Sequence, residues 1–309
     1  MVELVDTLDL KSNGHCGRAG SSPAPGTFLK DADWRLFFVF DFLRVAATVG
    51  VLFIHLTGIF LKIDDSLREP YLFLARASRF AVPMFVFLAA TLFLLKYSKK
   101  EPEKKTYYLG RFKKIFIPYL VASVIYYLYR LSPLVSQNQK INFTGWNNLF
   151  DFLCKLFTVG VFSQLYFVPM ILVFYLLAPY FVFLYKKHKL FIVGILVTTS
   201  IFFIVFMNYI EIRSIFYRWT IFPYLIYVVM GFLFADNYKK ITKINKKLVL
   251  IFACINLSAI IFVYQPYNSH LIEWFGLSRF LYDTLFLFLW VSAALILRLP
   301  PMIDKIFSF

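Results

Sequence analysis

The sequence predicts an all-α protein, a polytopic bundle of about eight transmembrane helices. Of its residues, 60% are hydrophobic and 21% are aromatic, the mean hydropathy is +0.70, and only 16% are charged. Soluble chains are roughly half apolar and about a quarter charged. The apolar residues also form long continuous blocks, a pattern typical of membrane-spanning helices and not of the alternating strands of a barrel.

The apolar blocks define the predicted helices. Each is close to the ~17–25 residues that span a bilayer. They cover approximately 37–61, 80–95, 115–131, 165–185, 190–210, 219–235, 248–264 and 281–299. A ninth segment, 149–162, contains Asp151 and Lys155, so we interpret it as an interfacial or re-entrant helix and not as a span.

The distribution of Lys and Arg between these blocks predicts the orientation. Loops 96–114, 186–189 and 239–247 are basic, and with the N-terminus inside they lie on the same side. That side then carries about twice as many Lys and Arg as the other, as expected for the cytoplasmic face. We therefore predict a multi-pass protein of the cell membrane with both termini cytoplasmic. The basic cytoplasmic loops account for the formal net charge of +16, so no nucleic-acid partner is expected. The first expected partner is the lipid bilayer.

The N-terminal segment differs from the rest of the chain. Residues 1–27, MVELVDTLDLKSNGHCGRAGSSPAPGT, are polar and lack the apolar core of a signal peptide. The segment resembles a leucine transfer RNA gene read as codons, and an ordinary disordered tail is the alternative. We therefore predict residues 1–36 to be a disordered or artefactual extension and 37–309 to be the membrane domain.

The first block carries ionisable side chains on one helix face. In DFLRVAATVGVLFIHL, residues 41–56, the side chains of Asp41, Arg44 and His55 share a stripe, because eleven residues make about three turns and rise roughly 16 Å. Charges at membrane depth cost ~2.5 kcal/mol or more, so they usually face a bundle interior or water. An Asp41–Arg44 ion pair with a hydrogen-bonded core histidine is one interpretation. Proton handling by His55 is the other.

Four stretches, in order, resemble the acyltransferase-3 family of integral membrane acyltransferases. The first is the stripe, an arginine followed eleven residues later by histidine. The others resemble the family's Val-Pro-x-Phe-Phe-x-x-Ser-Gly, Arg-x-x-Arg and His-Leu-Trp-Phe blocks. They read SRFAVPMFVFLAATLFL (78–94), GRFKKIFIPYL (110–120) and QLYFVPMILVFYLL (164–177).

The chain departs from the family pattern at several positions. Ala89 and Ala90 replace Ser-Gly, Lys114 replaces the second Arg, and Tyr166 replaces Trp. Lys and Arg are not equivalent at a bidentate phosphate site. The family usually has about ten helices, and we expect its last helix to be missing from this chain.

The resemblance implies acyl transfer, commonly of acetyl from acetyl-coenzyme A, to a hydroxyl of a cell-envelope glycan or lipid-linked sugar. His55 would be the general base, and Arg44 would bind Asp41 or a donor phosphate. Arg111, Lys113 and Lys114 would bind donor phosphates, with anionic lipid as an alternative partner for Lys113. Arg79 would contact substrate or remain an interfacial arginine.

Two further interpretations remain open at this stage. Relatives of the family have been described as polysaccharide export components, so a polysaccharide or glycolipid exporter is the alternative to an enzyme. An inactive truncated remnant is the third possibility. The cysteines and histidines are scattered without ligand spacing, so no metal is expected.

Overall fold

The structure is a computed structural model that describes only part of the chain. Its described residues are 34–60, 68–97, 103–131, 150, 152–154, 156, 165, 167–209, 220–241, 243–268 and 276–297. The predicted N-terminal extension up to residue 33, and most of the predicted interfacial helix 149–162, lie outside these ranges.

Helices dominate the described residues, which contain no strand. The α-helices are α1 (Trp34–Phe60), α2 (Arg68–Ala77), α3 (Ala81–Tyr97), α4 (Lys104–Arg111), α5 (Ile117–Leu131), α6 (Phe167–Lys187), α7 (Lys189–Tyr209), α8 (Leu225–Ile241), α9 (Lys246–Asn268) and α10 (Gly276–Ile296). A π-helical turn at Phe112–Phe116 joins α4 to α5, and a 3₁₀ turn at Phe222–Tyr224 precedes α8.

Helices form in the described part of each predicted apolar block, which confirms the predicted all-α class. Three described segments are long and apolar enough to cross a membrane, Phe38–Ile59, Pro70–Tyr97 and Phe167–Lys187. Two shorter apolar helices, Lys189–Val205 and Phe280–Ile296, accompany them. The count of eight spans and the cytoplasmic position of both termini stay predictions.

Helix α3 forms the centre of the bundle. Its residues 81–91 are all buried, and it packs against α1, α6, α8 and α10. A helix that is apolar on every side is expected in such a position. Because α3 is surrounded in this way, its neighbours are held in fixed positions around it.

Two glycines allow the neighbours of α3 to approach closely. A Cβ at Gly50 of α1 would lie 3.2 Å from the Cβ of Ala81, and one at Gly231 of α8 would lie 2.9 Å from the Cβ of Ala90. The Thr91 hydroxyl also donates to the Gly231 carbonyl, at 3.2 Å. Small residues at helix crossings let backbones pack tightly in membranes. Ala90, at a position where the family usually has glycine, therefore contributes to the packing of α3 against α8.

Gly231→Ala is expected to destabilise the bundle by about 1–3 kcal/mol through overpacking. The added Cβ would lie 2.6 Å from the Phe87 carbonyl oxygen, a backbone atom that cannot move alone. Thermal unfolding in detergent measures the change. Gly194→Ala in α7 is the matched control, because a Cβ there meets nothing within 4 Å. Alanine favours a helix over glycine, so Gly194→Ala should leave stability unchanged or raise it. Equal melting temperatures for both variants would contradict the packing argument.

Candidate active site

The stripe on α1 begins with an ion pair. Arg44 Nη1 donates to Asp41 Oδ1 at 2.6 Å, and the Thr48 hydroxyl donates to the Arg44 carbonyl at 2.9 Å. The Asp41 side chain is 64% exposed, whereas that of Arg44 is 24% exposed. Asp41 therefore lies at the edge of the bundle and orients an arginine that points further inward.

His55 lies further along the same face of α1. It is partly buried and makes no hydrogen bond to any residue that the structure describes. The buried side of α1 contains Leu43 and Ala47, both fully buried, and the stripe runs beside that side. Arg44 and His55 are about 16 Å apart along the helix axis. That both residues line a polar cavity in the bundle stays a prediction.

The second predicted cluster, Arg111, Lys113 and Lys114, belongs to a helix and not to a loop. The helical segment runs without interruption from Lys104 through the π-helical turn to Leu131, so our placement of these residues at the end of a loop was wrong. Buried residues recur along it every fourth position, namely Tyr107, Arg111, Ile115 and Tyr119. That spacing gives one buried face, which is the reason that this polar stretch is helical.

Arg111 is buried, whereas Lys113 and Lys114 are exposed on the π-helical turn. Its guanidinium carbon lies 4.4 Å from the ring centroid of Tyr175 and 5.4 Å from that of Tyr107. Arginine over aromatic faces is a favourable arrangement, worth about 2 kcal/mol or more when desolvated. π-Helical turns are frequent at functional sites. Of the three residues predicted to bind donor phosphates, the arginine is thus buried and the two lysines are exposed.

Pro179 in α6 explains why Tyr107 of α4 donates to the backbone of that helix. Proline lacks an N–H, so the carbonyl four residues earlier, that of Tyr175, loses its helical partner. The Tyr107 hydroxyl donates to this carbonyl at 2.7 Å, and the Tyr108 hydroxyl donates to the Leu176 carbonyl at 3.2 Å. In lipid such a carbonyl must find a partner within the protein. These bonds fix α4 against the middle of α6.

Arg44 and Arg111 both act electrostatically on one tyrosine of α6, although only Arg111 lies over its ring. The charges of both arginines interact electrostatically with the phenol of Tyr175, which lies buried on α6. Arg44 Nε is buried and has no hydrogen-bond partner among the described residues. A buried donor of this kind is normally satisfied by water or a ligand. We group Arg44 of the stripe with Arg111 of the α4 cluster as one candidate site, which we name the Tyr175 site (Arg44, Tyr107, Arg111, Tyr175).

Arg79 lies elsewhere, in the turn that joins α2 to α3. Its backbone N–H donates to the Arg76 carbonyl at 3.1 Å, and its side chain is partly buried. The carbonyl oxygen of the preceding residue, Ser78, would lie 3.3 Å from a Cβ added at Gly50 of α1, five residues before His55. Arg79 is therefore offset from His55 by roughly 8 Å along the axis of α1.

An apolar cavity of about 390 Å³ lies on another side of α1. Its walls come from α1, α2 and α10 together with the turn before α3, and neither Arg44 nor His55 lines it. Its α1 residues, which include Phe42 and Phe53, point roughly 140° away from the stripe. The cavity is therefore distinct from the Tyr175 site.

Sequence reasoning missed Tyr107 and Tyr175, and it also left α2 and α4 as loops. One signal was available, because Pro179 interrupts an otherwise apolar helix and predicts an unsatisfied carbonyl at position 175. Nothing in the sequence indicated that Tyr107 would supply the donor. Within the described residues no group of His, Cys, Asp and Glu side chains is arranged to hold a metal ion.

Comparison with known proteins identifies the family. The searches of curated proteins and of solved structures found no match to the chain. A family profile described as the acyltransferase domain of the acyltransferase-3 type matches residues 38–304, which is most of the chain and includes α1 to α10 from Phe38 onward. Together with the apolar helices, this match shows that the chain belongs to the acyltransferase-3 family of membrane enzymes, which transfer acyl groups, generally to glycans.

Proposed function

We propose that the protein transfers an acyl group, with acetyl as the first candidate, from acyl-coenzyme A to a hydroxyl of a cell-envelope glycan. We place it in the cell membrane as a multi-pass protein, with the donor reaching the site from the cytoplasmic side. This proposal names the donor, the acceptor and the residues for an acyl transfer that family membership already establishes.

The observation that supports the proposal is that the charges of Arg44 and Arg111 both act on Tyr175. Two arginines at membrane depth are costly, at ~2.5 kcal/mol or more each, unless anions offset their charge. Within the described part of the chain, Arg44 pairs with the carboxylate of Asp41, which is mostly exposed. Arg44 Nε remains an unsatisfied buried donor within the described residues. Arginine donors of this kind suit phosphate oxygens, so Arg44 and Arg111 would attract the pyrophosphate of a coenzyme A donor.

The distance along α1 fits the shape of that donor. In acyl-coenzyme A the flexible pantetheine arm separates the phosphates from the thioester. The rise of about 16 Å between Arg44 and His55 would let phosphates bind at the Tyr175 site while the thioester lies near His55. Lys113 and Lys114, exposed on the π-helical turn beside Arg111, would attract the anionic donor.

His55 would act as the general base. The imidazole takes the proton of the acceptor hydroxyl while its oxygen attacks the thioester carbonyl. A carbon–oxygen bond forms, the carbon–sulfur bond breaks, and the proton passes from the imidazolium to the leaving thiolate. Asp41 would hold Arg44 in position through their ion pair. Arg79, offset by roughly 8 Å along α1, would contact the acceptor.

Arg44→Lys and Arg111→Lys are each expected to raise the KM for acetyl-coenzyme A about tenfold, since lysine cannot make the paired hydrogen bonds of a guanidinium. The assay measures transfer of labelled acetyl to membrane glycan as the donor concentration is varied. Lys239→Arg, at the exposed end of α8, is the control and should not change the KM.

The outcome separates the proposed donor from other anions. A KM for acetyl-coenzyme A that stays at the wild-type value in both arginine variants would show that the Tyr175 site does not bind the donor. Glycan that reaches the cell surface without acylation, and only when the protein is present, would favour the exporter alternative.

A further inference from the structure

The π-helical turn at Phe112–Phe116 lies between α4 and α5 and allows this helical segment two geometries. A π-helical turn holds about one residue more than an α-helical turn, because its hydrogen bonds join residues five apart instead of four. Here the N–H of Ile117 donates to the Phe112 carbonyl. If the turn became α-helical, α5 would rotate by about 100° relative to α4, the angle that one residue contributes to a helix.

The buried side chains of this segment match the π-helical geometry. Every fourth side chain is buried, namely Tyr107, Arg111, Ile115, Tyr119 and Ser123. In a regular α-helix a step of four residues turns about 40° beyond a full turn, so this row would wind around the helix by about 160°. The additional residue in the π-helical turn takes back about 100° of that rotation. The turn therefore keeps Tyr119 and Ser123 on the buried side.

Contacts with residues 152–156 hold α5 in this orientation. The Tyr119 hydroxyl donates to the Leu156 carbonyl at 2.6 Å, and the ring of Tyr127 lies 4.9 Å from that of Phe152, measured between centroids. Other faces of α5 carry exposed apolar side chains, among them Val121, Ile125 and Leu128. A rotation of α5 would break the contacts with 152–156, but it would replace one apolar surface by another in the bilayer.

The two geometries place Lys114 differently relative to Arg111. Residues three apart in an α-helix are neighbours on one face. In the wider π-helical turn they lie further apart around the axis, and here Arg111 is buried whereas Lys114 is exposed. An α-helical turn would bring both cations to one face, where they would bind adjacent phosphates together. Because a ligand shifts a protein toward the conformation that it binds more tightly, a donor with a pyrophosphate would favour the α-helical turn.

We propose that the turn is a donor-sensitive switch, in which acetyl-coenzyme A bound by Arg111 and Lys114 makes the turn α-helical and rotates α5 away from residues 152–156. The inference rests on the proposed function, because Arg111 and Lys114 are donor-binding residues there. A phosphate bound by the Arg111 guanidinium also competes with its contacts to the rings of Tyr107 and Tyr175. Donor binding and the position of α5 are therefore coupled at the residue that precedes the turn.

Disulfide crosslinking measures the orientation of α5 without any acyl transfer. Tyr127→Cys and Phe152→Cys are introduced together into the whole chain without its native cysteines, and the rate of oxidative crosslinking is measured in membranes. We expect acetyl-coenzyme A to lower this rate about tenfold, because the rotation separates the two positions. Tyr185→Cys with Phe232→Cys is the matched control, since these rings lie 5.0 Å apart between α6 and α8, and its rate should not change.

Two lysine substitutions test the trigger of the switch. Lys114→Gln should remove the effect of acetyl-coenzyme A on the crosslinking rate, because Arg111 then has no second cation beside it in the α-helical turn. Lys113→Gln should keep the effect at saturating donor, because residues two apart point to nearly opposite sides of an α-helix. An equal effect of the donor in both variants would contradict the pairing of Arg111 with Lys114.

Deletion of Phe116 removes the additional residue from the turn. The segment can then be α-helical while α5 keeps its present orientation. Crosslinking of Tyr127→Cys with Phe152→Cys should therefore proceed at the rate found without the deletion, and acetyl-coenzyme A should not change it. Phe116→Ala keeps the length of the segment and should leave the tenfold response intact. A response that persists in the deletion variant overturns the inference.

Direct measurement of donor binding separates this inference from the proposed function. Labelled acetyl-coenzyme A is titrated onto the same membranes. If it binds and the crosslinking rate of Tyr127→Cys with Phe152→Cys stays the same, the turn is not a switch, although the proposed function stands. If it does not bind, the proposed function fails and the switch fails with it.

Discussion

His55→Ala is expected to lower acyl transfer to glycan by about 10²–10⁴-fold while the protein still inserts into the membrane. A hydroxyl attacks a thioester efficiently only when its proton is removed during the attack. His55 carries the imidazole of the α1 stripe, and it is partly buried at the position where the proposed donor would place its thioester. Alanine removes the base and leaves the helix intact. Labelled acetyl incorporated into glycan, at equal protein levels in the membrane, measures the loss.

The control is His188→Ala, because His188 is exposed between α6 and α7 and has no role in the proposed reaction. It should acylate as the wild type does. If the His55→Ala variant acylates glycan as well as the wild type does, His55 is not the general base. The exporter alternative would then be favoured over the enzyme. If His55→Ala loses transfer but keeps an unchanged KM for the donor, the loss lies in the chemical step and not in donor binding.

The apolar helices could be predicted from the sequence because their apolar blocks are long. The predicted first block, 37–61, became α1 (Trp34–Phe60), and the predicted block 165–185 became α6 (Phe167–Lys187). The polar helices could not be predicted in the same way. Helix α4 is amphipathic and contains Lys104, Lys105 and Arg111, so its composition resembled a charged loop. Its helical nature depends on a buried face that forms against α6 and α3.

The candidate site was predictable in its parts but not as a whole. The spacing of Arg44 and His55 follows from helix geometry alone. The electrostatic action of Arg44 and Arg111 on one tyrosine depends on how α1, α4 and α6 are arranged in the bundle, and no local pattern encodes the relative positions of three helices. The same limit applies to the apolar cavity, whose walls come from α1, α2 and α10. Single helices can be read from sequence, whereas contacts between distant helices depend on packing.

Tyr107→Phe is expected to destabilise the protein by several kcal/mol, the cost of an unsatisfied backbone carbonyl in a membrane interior. The Tyr107 hydroxyl donates to the Tyr175 carbonyl at 2.7 Å, and Pro179 deprives that carbonyl of its helical partner. Phenylalanine keeps the ring beside Arg111 and removes the hydroxyl that donates to this carbonyl. Thermal unfolding in detergent gives the stability, and the KM for acetyl-coenzyme A should also rise, since α4 positions Arg111 at the Tyr175 site.

A double-mutant cycle with Pro179→Ala isolates this hydrogen bond from general packing effects. Alanine at position 179 restores a backbone N–H that can donate to the Tyr175 carbonyl within α6. Tyr107→Phe should therefore cost far less stability in the Pro179→Ala background than in the wild type. Tyr108→Phe provides the comparison, because its longer bond of 3.2 Å reaches the Leu176 carbonyl on a more exposed part of α6. An equal cost of Tyr107→Phe in both backgrounds would show that the tyrosine acts through packing. The proline would then have no part in holding α4, and Arg111 with it, against α6.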